Sequence, residues 1–357
     1  MNIRQSSRSY EDWMRACTSV VEAQLAHKHQ KMKRDPFGFF RGTYYRWAQV
    51  WPEICPECVK APRLLAVGDV HVNSFGTWRD AEGRLCWGID DFDEAWPLPY
   101  TNDLVRLAAS VKIARKLGYV SLRTKLARQV ILAGYAQTLN HGGCPIVLAE
   151  GERHLEKLGI AAIKPPERFW EKLTQRPTLS RGLPGDAKKA LEQSFPGDHL
   201  RYRVVMREAG VGSLGHQRFV AIAECQGGYI AREAKRVVLP AGIWFDGGPN
   251  HRQSCYERVL HSAIRSPDPY QRPWKSWVIR RLSPDSNPIA VEDLPEKRDE
   301  ETLLRAMGSE VANVHLGQFQ SVKQVLNDLQ RRDANWLRTA AKKMAAITLK
   351  EWKEYRG

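Results

Sequence analysis

The sequence predicts an α+β fold in which a small antiparallel sheet is set between two helical stretches. Three observations carry that prediction. Apolar residues recur at helical spacing over residues 10–51, from Asp103 onward, and again from Glu300 to the end. Short runs at 203–207, 218–223 and 229–238 read as strands, the last two joined by a hairpin turn at Gly227-Gly228. The length of 357 residues exceeds one ordinary domain of about 150, and 43% apolar residues are enough for a sizeable core.

The first helical stretch is rich in aromatics, with Phe37, Phe39, Phe40, Tyr44, Tyr45 and Trp47 expected at a core edge, and Pro52, Pro56 and Pro62 break it. Leu64-Leu65-Ala66-Val67 then reads as a strand ending at Gly68-Asp69. After a polar turn at Ala81-Glu82-Gly83, Leu85-Cys86-Trp87-Gly88-Ile89 reads as a second strand ending at Asp90-Asp91. Leu104, Leu107, Ala108 and Val111 give the next helix, and another begins after Ser121. Pro165, Pro166, Pro177, Pro184 and Pro196 punctuate a charged stretch expected to be a linker or exposed insertion. Beyond the sheet come a helix over 254–264, a strand at Trp277-Val278-Ile279, and final helices carrying Leu303, Leu304, Met307, Val311 and Val314, then Trp336, Ala340, Met344 and Ile347. The expected division is a helical lobe over 1–195, a sheet lobe over 196–290, and helices over 291–357 that return to the first lobe.

Fifty-five Lys and Arg against forty Asp and Glu leave a net charge of +15, which favours anionic partners such as nucleotides, phosphorylated substrates, nucleic acid or acidic headgroups. The longest uncharged stretch, 129–149, is interrupted by Gln129, Gln137, Thr138, Asn140 and His141, so no membrane span is expected. The first thirty residues lack a signal-peptide apolar region, and a cytoplasmic location is expected. Seven cysteines, an odd number, fit reduced thiols. Cys55 and Cys58 form a CxxC that reads as two ordinary thiols, or as half of a zinc site with ligands from elsewhere.

Two motifs carry chemistry. Gly68-Asp69-Val70-His71-Val72-Asn73-Ser74-Phe75-Gly76 is followed by Ile89-Asp90-Asp91-Phe92-Asp93-Glu94-Ala95. Carboxylates at two strand ends can converge, as phosphoryl transfer requires: one accepts a hydroxyl proton and another binds the magnesium that bridges phosphate oxygens. Asp69 suits the first role and Asp91 the second. A solvated acidic turn is the other reading of Asp90, Asp91, Asp93 and Glu94. The second motif is Gly210-Val211-Gly212-Ser213-Leu214-Gly215. A dinucleotide fold needs a helix to open at such glycines, whereas His216-Gln217-Arg218-Phe219-Val220-Ala221-Ile222 reads as a strand. Strand, glycine loop and strand match the flexible flap over nucleotide phosphates in kinases, with a plain tight hairpin as the alternative.

Asp35-Pro36-Phe37 with Phe40-Arg41-Gly42, the two acidic motifs with Trp96-Pro97-Leu98-Pro99, Asp103-Leu104 with Arg106-Leu107-Ala108, the glycine loop, and Arg232-Glu233-Ala234 together resemble the bacterial family called domain of unknown function 2252. The likeness runs from Asp35 to Leu316. That family is similar in its motifs to aminoglycoside phosphotransferases and other protein-kinase-like enzymes. The resemblance implies a two-lobed kinase-like fold that uses ATP and magnesium. Asp69 then corresponds to the catalytic aspartate, supported by His71, and Asp91 to the metal-binding aspartate, with Asp93 a second ligand. Asn73 is the candidate third ligand, but it is shifted by one from the family pattern and Ser74 takes its place. Gly210, Gly212, Ser213 and Gly215 would cover the phosphates. Arg232 stands where a phosphate-contacting lysine is expected, and Lys235 lies three positions later. Side chains alternate along a strand, so the two cannot both face the nucleotide, and Arg232 is favoured as a bidentate phosphate partner. Glu257 is the candidate carboxylate for that cation. Because Asp69 and Asp91 precede the glycine loop, the kinase-like order must be circularly permuted.

The expected activity is phosphoryl transfer from ATP to a hydroxyl of a small molecule or protein, with AMP transfer or nucleotide binding without turnover left open. Two other classes compete. Asp69-Val70-His71 with Asn250-His251 also fits the opening of a two-metal phosphoesterase, which needs further histidines at strand ends. Lys31-Met32-Lys33-Arg34, Arg280-Arg281 and the basic C-terminal helix with Lys342, Lys343, Lys350 and Lys353 would suit a nucleic-acid-binding module, although no recognised motif of that kind is present.

Overall fold

The computed structural model describes residues 1–151, 153–163, 165–197, 200–246, 254–286, 288–295 and 298–357. The chain begins with helices α1 (Ile3–Cys17), α2 (Glu22–Arg34), α3 (Pro36–Gly42), α4 (Tyr44–Ile54) and α5 (Pro56–Val59). Local chemistry sets their starts. Asn2 and Gln5 form a capping box on α1, while the Asp35 carboxylate accepts from the Phe37 and Gly38 amides and Pro36 occupies the first helical position of α3. The aromatic segment is buried as expected: Tyr10 stacks on Tyr45 with centroids 4.3 Å apart, and Trp47 stacks on Trp51 at 5.9 Å.

Four short strands follow: β1 (Arg63–Ala66), β2 (Phe75–Arg79), β3 (Leu85–Ile89) and β4 (Trp96–Pro99). β1 pairs antiparallel with β4, and β2 forms a hairpin with β3. The two expected strands, β1 and β3, are therefore not each other's partners. Each pairs instead with a short strand that the apolar runs do not mark, β2 carrying a glycine and β4 two prolines. The arrangement puts Asp69 between β1 and β2 and Asp90 to Glu94 between β3 and β4, and Asp90 N–H donates to Ser74 O at 3.1 Å, tying the two segments together. Helices α6 (Thr101–Lys116), α7 (Thr124–His141), α8 (Leu148–Gly151), α9 (Arg153–Ala162), α10 (Pro166–Thr174) and α11 (Gly185–Glu192) come next.

Strands β5 (Tyr202–Met206), β6 (Arg218–Cys225), β7 (Gly228–Arg236), β8 (Arg272–Trp274) and β9 (Trp277–Leu282) form one antiparallel sheet in the order β5-β6-β7-β9-β8. Gln226 and Gly227 both adopt positive φ at the β6–β7 hairpin. The period of two sorts the side chains between faces. Phe219, Ala221, Ala234, Trp277 and Ile279 meet α11, whereas Val205, Val220, Ile222, Ala231 and Leu282 meet Phe169, Trp170 and Leu173 of α10. The stretch between Pro165 and Gly197 is thus not a linker. Its prolines start α10 and precede α11, and both helices cover the sheet, which moves residues 166–192 from the expected first lobe to the sheet.

After α12 (Ala241–Asp246) and α13 (Tyr256–Ser262), helices α14 (Glu300–His315), α15 (Val322–Arg331) and α16 (Trp336–Arg356) complete the chain. α14 packs along α7 and α16 along α6, so Leu303, Val311 and Met344 share one core with Phe40, Leu65 and Leu107. No helix among the described residues is long and apolar enough to cross a membrane.

Candidate functional site

The segment that presents Asp69 is fixed from below by a buried polar cluster. Gly68 adopts φ +82, and a Cβ there would lie 2.3 Å from Glu94 O, so only glycine fits the turn out of β1. The Asp103 carboxylate, at the start of α6, accepts from Val67 N–H at 2.7 Å and Gly68 N–H at 3.0 Å. His315 Nε2 faces the same carboxylate at 3.0 Å, and its Nδ1 meets the Tyr135 hydroxyl at 2.8 Å. One helical turn beyond Asp103, Arg106 Nε donates to Asp69 Oδ1 at 2.7 Å and Nη2 to Phe40 O at 2.8 Å. The guanidinium lies 3.8 Å from the Phe40 ring centroid, with Tyr44 and Trp47 on its flanks. Burial raises the Asp69 carboxyl above its ordinary range, against the opposing pull of Arg106.

Opposite Asp69, Lys235 of β7 reaches the acidic turn. Its Nζ lies 2.8 Å from Asp91 Oδ1 and also pairs with Asp93. Burial would raise Asp91, but Lys235 outweighs it, with Arg218 and Arg280 adding to the effect, and the carboxyl stays below its ordinary range. Asp93 goes the other way, raised by burial and by Asp91 beside it. Burial brings Asp90 to about 6 and Glu94 to about 8; Glu94 accepts from Ala241 N–H at 2.6 Å.

The alternation of β7 decides between the two expected cations. Ala231, Glu233 and Lys235 share the face toward the acidic turn; Arg232 and Ala234 share the face toward α11. The preference for Arg232 is therefore corrected: its guanidinium donates to Ser194 O at 3.0 Å and lies over Tyr270. Glu257 is also displaced from its expected role, since it is exposed on α13 and pairs with neither cation. The carboxylate that meets the cations of the sheet is Glu233, fully buried and bonded to Arg207 at 2.6 Å, Arg218 at 3.1 Å and Arg280 at 2.6 Å. Those three guanidiniums overcome burial and hold it well below its ordinary range.

The glycine motif closes the cavity between these groups. Val211–Ser213 form a single 3-10 turn, and the Ser213 hydroxyl donates to Gly210 O at 3.2 Å. A Cβ at Gly212 would stand 3.9 Å from Asp69 Oδ2 and 3.3 Å from Arg41 O. The expected flexible flap is instead a docked turn: Val211 is buried against Ile3, Met32, Phe39 and Tyr355, and Gly215 O accepts from Val21 N–H at 2.8 Å, outside the cavity. The cavity, about 170 Å³, is bordered by Asp69, His71, Asp91, Asp93, Gly210 and Gly212 with Lys28, Arg41 and His216. Asp93 Oδ1, Arg41 Nε, His216 Nδ1 and Arg218 Nε are buried at its wall without a partner.

His71 and Ser74 shape the turn: Asn73 N–H donates to His71 Nδ1 at 3.2 Å, and the Ser74 hydroxyl donates to Asp69 O at 3.2 Å. Asn73 is corrected as a metal ligand. Its oxygen accepts from Val291 N–H and its amide donates to Glu292, both at 2.9 Å, which commits it to the chain leading into α14. No set of three or more His, Cys, Asp or Glu side chains among the described residues is arranged to hold a metal. The oxygens that suit a hard cation are those of Asp91 and Asp93, whose Oδ1 is unpartnered. His251, expected in the phosphoesterase reading with Asn250, lies outside the described residues. Sequence reasoning missed Lys28, His216 and the role of Arg106. Lys28 and His216 gave little signal because each comes from a helix or loop remote in sequence from the carboxylates, whereas Arg106 stood in a quoted motif with nothing in the sequence to pair it with Asp69.

Residues 20–155 match the model of a family described as an uncharacterised protein conserved in bacteria, domain of unknown function 2252. The matched stretch contains both acidic motifs and Arg106 and ends before the glycine turn, short of the expected Leu316. No curated protein and no solved structure matches the chain.

Proposed function

We propose that this cavity performs phosphoryl transfer from ATP to a hydroxyl acceptor, in a kinase-like arrangement with permuted chain order. One observation carries the reading: Asp69, Asp91, Asp93 and the glycine turn border one cavity although well over a hundred residues lie between Asp69 and Gly210, and Lys235 pairs with both carboxylates of the acidic turn. At about 170 Å³ the cavity is smaller than the roughly 300–1,000 Å³ that encloses a whole drug-sized ligand. It suits the meeting point of phosphates and acceptor, with base and sugar lying outside.

Each residue has work that fits its surroundings. The Asp69 carboxylate, aimed by Arg106, accepts the acceptor's hydroxyl proton as the new O–P bond forms and the bond to the leaving ADP oxygen breaks. The unpartnered nitrogens of Arg41, Arg218 and His216 offer donors or charge to phosphate oxygens in a site shielded from water. Lys235 orients the acidic turn through its pairs with Asp91 and Asp93. Magnesium held by Asp91 and Asp93 would neutralise charge on the transferred group.

Calorimetry with ATP and magnesium on the wild type and on Asp91→Asn tests the reading. Binding by the wild type, weakened at least tenfold in Asp91→Asn, is expected. Absence of binding to the wild type would remove the proposal. Release of ADP on turnover marks phosphoryl transfer, whereas pyrophosphate would mark transfer of AMP.

A further inference from the structure

A second charged region lies away from the cavity, on the face where α6, α7 and α16 meet. Lys112 and Lys116 are one turn apart on α6, and Arg338 and Lys342 are one turn apart on α16, which packs along it. Arg128 of α7 completes the group. Like charges at this helical spacing repel and destabilise the helix that carries them. Here two such pairs are set against each other. The half-buried Lys112 ammonium is lowered by burial and then by Lys342, Arg128 and Lys116, and Arg128 is lowered by burial and by Arg338. Only cations act on these two groups, and none of the five forms an ion pair with a described residue. Further along α16, by contrast, Lys350 faces Glu354.

The shape of the surface narrows the partner. None of the five cations lines the acidic cavity or the two further cavities that border α6, α7 or α16 among the described residues. The exposed large apolar residues are Met1, Ile160, Tyr229, Phe245, Tyr270 and Phe319, none of them on α6, α7 or α16, so the face has nothing to insert into a bilayer. It offers no apolar slot for a peptide side chain either. Five unmatched cations spread over three helix faces fit an extended, evenly and densely charged polyanion. We propose that Lys112, Lys116, Arg128, Arg338 and Lys342 dock the phosphate backbone of a nucleic acid without reading its bases. The surplus of +15 over the whole chain assists the encounter. Of the basic features visible in the sequence, only the C-terminal helix contributes to this site, through Lys342; Arg280 is bound to Glu233, and Arg281 lies over Tyr270.

Fluorescence anisotropy of the full chain with a labelled DNA duplex, titrated with salt, tests the proposal. Five phosphate contacts predict a slope of log affinity on log salt of about −4.5, so a fourfold rise in salt weakens binding by about 500-fold. The exposed pair changed as Lys116→Gln and Lys342→Gln should reduce the steepness of that slope by about 2. The same double variant should melt at or above the wild-type temperature, because it relieves repulsion, and this separates lost binding from lost fold. No binding at low salt, or binding unchanged in the folded double variant, would overturn the proposal. Poly-glutamate binding as tightly as the duplex would also overturn it, in favour of an acidic protein partner.

Discussion

Lys235 Nζ and Asp91 Oδ1 stand 2.8 Å apart although 144 residues separate them, and this ion pair joins the five-stranded sheet to the acidic turn. The same ammonium pairs with Asp93, so one cation holds two neighbouring carboxylates. In Lys235→Met those carboxylates repel with no cation between them. Asp91 is 43% exposed at its side chain, so the cost is expected at about 2 kcal/mol, below the roughly 3–5 of a fully buried pair. Binding of ATP with magnesium should weaken at least tenfold. Urea unfolding and calorimetry check both outcomes; a variant with unchanged midpoint and unchanged binding would show that the pair matters to neither.

Arg106 positions Asp69 through a fork that only arginine makes, with Nε on the carboxylate and Nη2 on Phe40 O while the plane lies on the Phe40 ring. Lysine at this position keeps the charge but cannot make both bonds. Arg106→Lys is therefore expected to lower kcat for ATP turnover by about 100-fold, with KM for ATP within about twofold. The effect should not add to that of Asp69→Asn in the double variant, because both act on one carboxylate. Full additivity would place Arg106 outside the chemistry.

The sequence made the carboxylate ends of β1 and β3 legible because an apolar run stops abruptly at Gly68-Asp69 and again at Asp90-Asp91. The β6–β7 hairpin and the returning helices α14 and α16 were legible from period and turn chemistry in the same way. What stayed hidden depends on which face of an element meets what. Alternation on β7 showed that Arg232 and Lys235 diverge, yet it could not say which face meets the acidic turn; α10 and α11, read as a linker, decide that by covering the sheet. Glu233 read as one more charged strand residue, and its three arginine partners come from β5's end, β6 and β9. The glycine turn gave no sign of being docked, because Ile3, Met32 and Tyr355, which hold Val211, come from both chain ends.

Glu233 carries a compact prediction about acid stability. Its folded-state pKa lies well below the ordinary 4.5, so the native state has released a proton that the unfolded chain still binds as pH drops below that value. The stabilisation is present above the unfolded pKa and is lost as pH falls through the folded one. Glu233→Gln leaves Arg207, Arg218 and Arg280 converging on a neutral amide, and should cost about 3–5 kcal/mol at neutral pH. The difference between wild type and variant should shrink on acidification below about 4.5. Urea midpoints across that range measure it, and a gap independent of pH would contradict the ionised hub.

Glu94 predicts the opposite slope. Burial raises its carboxyl to about 8 from 4.5, so over that window the native state holds a proton that the unfolded chain has released. Native stability must then fall as pH rises, by up to about 1.4 kcal/mol per pH unit for one proton. Asp90, at about 6, and Glu310, at about 7, contribute in the same direction; the share of Asp90 is nearly spent by pH 7, whereas that of Glu310 is half spent there and fades by about pH 8. Above 7 the slope belongs mainly to Glu94. Glu94→Gln keeps an oxygen to accept from Ala241 N–H and removes the titration, so the wild type should lose clearly more urea resistance between pH 7 and 8 than the variant, whose remaining loss comes from Glu310. Parallel loss in both proteins would mean that Glu94 is already ionised in the native state. The cavity beside Asp69 would then carry one more negative charge at neutral pH than a phosphate-binding site can readily tolerate.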